Sequence, residues 1–314
     1  MKSLRHRLMG PYSGCAFTLA GLTLSLMNAS TALGSPLLGT ELSSFTVLGS
    51  STVTNIPISA IDGSVGVWSS GGANAITGFL SVPGVAVSDP QVTGGTVQAG
   101  TADAMLAQGQ LTTAINNLGS LGPGTLLSAD LANLTLTPGV YTVQAGTTNL
   151  SGTLTLDGQG NANAAWVFQL PSTLITSPNS IINMINTGSG AGLYWDVGSS
   201  ATIDVNSTFL GNILALTSIT FNTTATDYCG RALANNGAVT LAQNSLSGTC
   251  TGALSGSAGL SGGLDVTTAP GGGTQVSFLP STTVPEPSTY LIFGVGLVAL
   301  FGLRKRLLPP ALTT

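Results

Sequence analysis

The chain has 314 residues, 43% hydrophobic and only 6% charged, with a formal net charge of −4. So much apolar content with so little charge excludes a disordered chain, which combines high charge with few apolar residues. Seven Lys plus Arg and a single His exclude a nucleic-acid surface, which needs clustered cations.

At the N-terminus, Lys2, Arg5 and Arg7 precede an apolar stretch over 15–27, followed by the small residues Ala29, Ala32, Gly34 and Ser35. Residues 1–34 read as a secretory signal peptide, cleaved near Ala32 to Ser35. An N-terminal membrane anchor is the alternative, disfavoured by the short apolar region and small-residue exit. Residues 36–283 then hold ten acids, Glu41 and nine Asp, against one base, Arg231, a net charge of −9. The only His, His6, leaves with the signal. A Ser–His–Asp or Cys–His set is impossible without it, and no zinc site can form from His or from two Cys. No catalytic residue, metal or cofactor is expected.

Phe45 to Asn55 is strand-like, and its second half echoes Leu216 to Asn222. It offers a further rung whose inside and outside faces the sequence leaves unassigned. Residues 56–100 read as short strands and Gly turns broken by Pro57, Pro83 and Pro90. Residues 101–118 form the one convincing helix. Thr101 suits its N-cap and Asp103 its first turn, with Ala104, Leu111, Ala114, Ile115 and Leu118 on one stripe. After a loop at 119–124, strand-like runs follow at 134–136, 140–143 and 153–156, then a turn at 158–161.

Between 166 and 246 an apolar segment and a Ser/Ala-led strand alternate four times. Trp166-Val167-Phe168 leads to Ser172-Thr173-Leu174-Ile175, and Tyr194-Trp195-Asp196-Val197 to Ser200-Ala201-Thr202-Ile203. Ile213-Leu214-Ala215 leads to Ser218-Ile219-Thr220-Phe221, and Ala232-Leu233-Ala234 to Ala238-Val239-Thr240-Leu241. A period near 20 residues predicts a solenoid whose coils bury faces only against their neighbours. Strand alternation sends Ala201, Ile219 and Val239 inward with Ile203, Phe221 and Leu241. It sends Thr202, Thr220 and Thr240 outward in register, with Leu174 in the same row. A second outward row holds Thr176, Asp204, Asn222 and Ala242. The apolar segments are hydrophobic on both faces, so they are buried on both, with the helix as cover. Asp204 and Asp227 could meet across a turn, but scattered acids read better as surface solubility than as a calcium site or a carboxylate pair. Cys229 and Cys250 lie one coil apart. In an exported protein a bridge between adjacent rungs is favoured over two buried thiols.

Residues 251–283, rich in Gly, Ser and Thr, read as a flexible linker. Pro285-Glu286-Pro287 then precedes an apolar run from Tyr290 to Leu303, closed by Arg304-Lys305-Arg306. The 14-residue run is short against the roughly 20 residues that span a bilayer, and its basic cluster should stay cytoplasmic. A plain C-terminal anchor is the alternative.

Segments 284–306 resemble the PEP-CTERM sorting signal of Gram-negative bacteria, with 307–314 a tail beyond it. The resemblance implies processing by an exosortase-type enzyme and transient insertion in the inner membrane. The protein would then be released or held at the cell surface or in the extracellular matrix. Further segments resemble the microbial ice-binding protein family: Gly-Ser-Ser-Thr-Val-Thr-Asn (49–55), Thr-Gly-Gly-Thr (93–96), Leu-Thr-Pro-Gly-Val-Tyr (136–141), Gly-Thr-Leu-Thr-Leu-Asp (152–157), Gly-Asn-Ile-Leu-Ala-Leu-Thr-Ser-Ile-Thr (211–220), Gly-Arg-Ala-Leu-Ala (230–234) and Gly-Ala-Val-Thr-Leu (237–241). This resemblance implies, for residues 35–250, a mainly β fold: a right-handed three-faced β-helix with one long helix along its side. It implies a monomeric, non-enzymatic antifreeze protein whose partner is an ice crystal surface, with extracellular polysaccharide a further partner. The ice-binding role falls on Thr202, Thr220 and Thr240, flanked by Ser200, Ser218, Asn222 and Thr224. A structural or adhesive matrix protein is the first alternative. A carbohydrate-active enzyme is disfavoured by the missing His, Lys and clustered acids.

Overall fold

Short β-branched runs broken by turns cannot each bury a face alone, so they stack. The computed structural model describes residues 34–70, 74–269 and 272–283. The apolar stretch over 15–27 that reads as part of a signal peptide lies outside them with its Cys15, as do Pro285, Glu286, Pro287, Arg304, Lys305 and Arg306. The described part is mainly β, in three ladders of almost wholly parallel strands.

The first ladder has seven strands, in the order Thr148–Leu150, Leu174–Thr176, Ala201–Ile203, Ile219–Phe221, Val239–Ala242, Thr52–Ile56 and Ala75–Thr77. The second runs through the apolar segments Gly139–Val143, Ala165–Leu170, Gly192–Val197, Thr208–Ala215 and Thr226–Ala234. It continues into Phe45–Gly49, Ser64–Val67 and Val97–Ala99. The third begins at Thr135–Leu136, Thr153–Asn161 and Ile181–Thr187. It passes through the first residues of Thr208–Ala215 and Thr226–Ala234 to Ser245–Ser247, Ala60–Asp62 and Val92–Thr93.

The stacking order is not the chain order. Val47 pairs with Ala232 and Thr54 with Thr240, so the N-terminal rungs sit on the end of the repeat. The chain leaves this end after Val97–Ala99 and must return to Thr125–Leu127, at the far end of the second ladder. Eight rung steps at about 4.8 Å make that journey about 38 Å. Helix α2, Ala102–Gly119, covers about 27 Å of it at 1.5 Å per residue. Its N-cap is Thr101, whose Oγ1 accepts from Ala104 N at 3.2 Å, as the sequence suggested. A second, one-turn helix, α1, spans Thr40–Ser44 and packs on α2.

Parallel register puts like residues above one another, and the interior uses this. Tyr141, Phe168 and Trp195 stack through successive rungs, with Phe168 and Trp195 4.1 Å apart and 8° from parallel, and Phe209 packs on Trp195 at a tilt of 47°. The buried indoles are satisfied: Trp166 Nε1 donates to Leu136 O at 3.1 Å and Trp195 Nε1 to Leu210 O at 3.0 Å. Alternate residues on the second ladder, Val167, Tyr194, Leu214 and Leu233, face the other way. There they pack with Ala104, Ala107, Leu111, Ala114 and Leu118 of α2, Ile115 lying partly buried at the margin.

Arg231, the one base of this region, is buried. It donates to the carbonyls of Ser43, Gly248, Ala258 and Gly259 and to Asn212 Oδ1. Asp227 is fully buried beside it, which corrects the reading of all the acids as surface residues. Desolvation holds its carboxyl well above the ordinary range, against the smaller pull of Cys229 N and Arg231. Cys229 and Cys250 are bonded, with Cα atoms 4.7 Å apart.

The expected flexible linker at 251–283 is replaced by structure. Leu264–Thr268 and Thr274–Phe278 form an antiparallel hairpin. Leu264 and Val276 are buried with the α2 face, and Thr274 Oγ1 donates to Asn117 Oδ1 at 2.8 Å. A few apolar residues at alternate positions suffice, and a count of Gly, Ser and Thr hides them.

Two outcomes follow for stability. Burial pushes the Asp196 carboxyl up to about 6, so the folded state holds a proton that the unfolded state releases from about 3.8. That stabilisation is complete below about pH 4 and lost as pH rises through 6, a swing on the order of 3 kcal/mol. Urea unfolding from pH 4 to 7 should show this slope on top of one of the same sign from Asp227, and Asp196→Asn should remove only its own share. Breaking the Cys229–Cys250 bond should cost about 3 kcal/mol, as expected for a loop of about 20 residues, measured as a lowered Tm in the Cys229→Ser, Cys250→Ser double variant.

Candidate functional site

The first ladder presents one face to the interior and one to solvent. Inward lie Ala201, Ile203, Ile219, Phe221, Val239, Leu241 and Val53, all buried. Outward runs a row fixed by register: Asn149, Ile175, Thr202, Thr220, Thr240, Thr54 and Thr77. Five consecutive rungs therefore carry Thr at the same position. Thr54 and Thr77 are exposed, and Thr202, Thr220 and Thr240 half-buried.

Register also corrects the expected rows. Leu174 pairs with Ala201, not Thr202, and is fully buried, so Ile175 takes the outward place. Thr176 is likewise buried rather than outward. Its Oγ1 accepts from Asp204 N at 2.7 Å and shares a hydrogen bond with Ser207 Oγ at 3.2 Å. The physical reason is one residue of phase: the apolar Leu174 goes inside, and Thr176 follows two positions later, where a buried hydroxyl pair satisfies it.

The flanking residues separate into distinct roles. Ser200 Oγ accepts from Ser218 N at 3.3 Å, and Ser218 Oγ from Ala238 N at 3.2 Å. These hydroxyls tie each rung to the next at the strand entry. Asn222 Nδ2 donates to Asp204 Oδ1 at 2.8 Å, pairing the two polar side chains at the strand exit. Ala242 stands beside Ile56, which is 56% exposed. Thr224 is off the row. It sits in the following turn at φ 64°, a place shared in the stack by Asn179, Asn206 and Gln243 at φ 62°, 58° and 56°, and its hydroxyl donates to Asn206 Oδ1. The site thus keeps Thr202, Thr220 and Thr240 together, with Ser200, Ser218 and Asn222 at its margins and Thr224 outside.

Thr54 and Thr77 were not assigned from sequence. Aligning Asn55 with Asn222 throws the N-terminal strand out of phase by one residue, because register sets Asn55 against Leu241. Asn55 is buried, donating to Gln91 Oε1 at 3.0 Å and accepting from Ser59 Oγ at 2.7 Å. The usable signal was Val53, the one strong apolar residue among hydroxyls, which marks the inward position.

A hydroxyl row of this kind, backed by a stacked core and bearing no titrating group of its own, can order water but has no means to move a proton. Sequence comparison fits that chemistry. Residues 47–247 match the family model described as ice-binding-like. The chain belongs to the ice-binding-like family. Within it, an ice-binding protein of Nostoc sp. (strain HG1) is 42% identical over 275 residues, covering 86% of this chain and 87% of its own length. Ice-binding protein K3-B1 of Typhula ishikariensis is 32% identical over 218 residues, covering 64% and 86%. The crystal structure of an ice-binding protein from an Antarctic biological consortium matches with a TM-score of 0.58 at 34% identity, over 69% of this chain and 93% of that one. These family members are named for ice binding, not for an enzymatic reaction. Residues 283–306 match the PEP-CTERM protein-sorting motif.

Thr224 offers a check on its placement. A β-branched residue in the left-handed region is strained, whereas Asn is at ease there. Thr224→Asn should raise stability by about 0.5–1 kcal/mol, read from chemical denaturation.

Proposed function

We propose that this protein binds ice through the outward face of its first ladder, slowing ice growth and recrystallisation. The observation that carries the reading is the unbroken row Thr202, Thr220, Thr240, Thr54 and Thr77. Rungs repeat at about 4.7–4.9 Å and alternate positions along a strand at about 6.6 Å. Stacking keeps such a sheet flatter than an open one, and the β-branch of Thr limits its rotamers. Hydroxyls and methyls held at fixed spacings order a water layer, and many weak water-mediated contacts act together. The relatives named for ice binding support the same reading.

In this reading the solenoid is a right-handed three-faced β-helix, one face per ladder, that works as a monomer without metal or cofactor. Residues 1–34 are removed on export and 284–306 direct sorting by an exosortase-type enzyme. The product is released or kept at the surface or in the matrix of a Gram-negative cell, where extracellular polysaccharide is a further partner. Adhesion in that matrix is the second reading, favoured by the sorting motif.

Purified residues 36–283 should show thermal hysteresis and inhibit recrystallisation; no effect on ice at high protein concentration overturns the proposal. Thr220→Tyr within the row should weaken recrystallisation inhibition by at least about tenfold, the loss of roughly 1.4 kcal/mol of adsorption, with the melting temperature unchanged. Thr226→Tyr, on the third ladder, should leave ice activity intact.

A further inference from the structure

The five residues before the sorting tail are bound to the solenoid. Leu279 N donates to Gly263 O at 2.9 Å, and Asn163 Nδ2 donates to Pro280 O at 2.9 Å. Thr282 N donates to Asn161 Oδ1 at 3.1 Å, while Thr282 O accepts from Ala162 N at 2.6 Å. Asn161 and Thr283 close the set as an antiparallel bridge. This strap, with Thr137, Pro138 and the turn 158–161, lines a polar cleft of about 380 Å³. Nothing in its composition announces it: Pro280-Ser281-Thr282-Thr283 reads as spacer.

The position of the strap gives it a consequence. Thr283 is both its last paired residue and the first residue of the PEP-CTERM match. Pro285 stands two residues further on, within about 7 Å of chain, and Tyr290, where the apolar run begins, seven residues on, within about 25 Å. A processing enzyme embedded in the membrane must draw the Pro-Glu-Pro segment, extended, into its site. Undocking 279–283 adds five residues, about 17 Å of reach.

We propose that residues 279–283 form a folding-dependent strap that restrains sorting, docking on Asn161, Ala162, Asn163 and Gly263 and holding the Pro285-Glu286-Pro287 motif too close to the solenoid for rapid processing. The inference rests on the sorting role of 284–306 but not on ice binding. A domain that has folded early is thereby processed slowly, while one whose strap is undocked is processed at once.

The test uses the full chain in an exporting host that carries an exosortase-type enzyme, with the processed fraction followed by pulse-chase. Asn163→Ala with Thr282→Pro removes two of the strap's hydrogen bonds, each worth a factor of about 2 to 10. Processing should accelerate by at least about threefold while ice activity and Tm stay unchanged. Amide exchange at Leu279 in the purified chain should quicken in parallel. A reciprocal variant, N161C/T283C, staples the bridged pair; its oxidised form should be processed more slowly than wild type and recover on reduction. Equal rates in wild type, released and stapled chains overturn the strap proposal while leaving the sorting role standing. Slower processing of the released variant, with its fold intact, also overturns it. Absence of processing in every chain, with the host enzyme active on its own substrates, overturns both.

Discussion

Everything in this solenoid depends on one pairing, that of the N-terminal segment 45–56 with the strands at 226–242. A coil buries its interior only against the coils above and below it. Had the chain stacked in simple sequence order, the rungs at 45–56 and those at 226–250 would each have ended a stack, exposing Val53 and Leu241. Joining them through Val47 with Ala232 and Thr54 with Thr240 makes one continuous core. It also brings Thr54 and Thr77 into line with Thr202, Thr220 and Thr240, so the length of the outward row follows from the same constraint that fills the interior. The return helix is a consequence of that order, because a chain that begins in the middle of its own stack must cross it once.

Charge is arranged to suit. Arg231, the one base of residues 36–283, is buried, where it gathers carbonyls from α1, from the turn at 248 and from the segment at 258–259. Removing an arginine with so many buried acceptors would leave them unpaired, each at a cost of about 1–3 kcal/mol. Its role is to fasten α1 and two irregular segments at the junction. The described surface is left without a cation from Arg231 that could compete with neutral hydroxyls for water.

Much of this was legible in the sequence. Trp166 to Leu241 gave strands, coils and a two-sided apolar wall, and Thr101 marked the start of α2. These signals are local: alternation and an N-cap depend on neighbours a few residues away. What could not be read depends on register between distant strands. A one-residue slip reverses every side chain, which is why Leu174 and Thr176 exchange faces with Ile175 and why Asn55 misleads at the N-terminal rung. The hairpin at 264–278 escaped because its buried side, chiefly Leu264 and Val276, needs the flank of α2 to have any meaning. Asp227 escaped because nothing in its neighbours announces burial.

The return helix acts as a ruler. Its start follows Val97–Ala99, its end is held at Ala165–Leu170 by Gln169 Nε2 donating to Leu118 O at 2.8 Å, and the loop 120–124 closes the remaining distance to Thr125–Leu127, so the number of coils and the combined span of α2 and that loop cannot vary independently. Each added coil lengthens the stack by about 4.8 Å and calls for about three more helical residues at 1.5 Å each. Duplication of a 20-residue coil on its own would open the circuit. A wider hydroxyl face can therefore evolve in this architecture only by paired insertions, one in the repeat and one in the return segment of α2 and its loop, far from it in sequence.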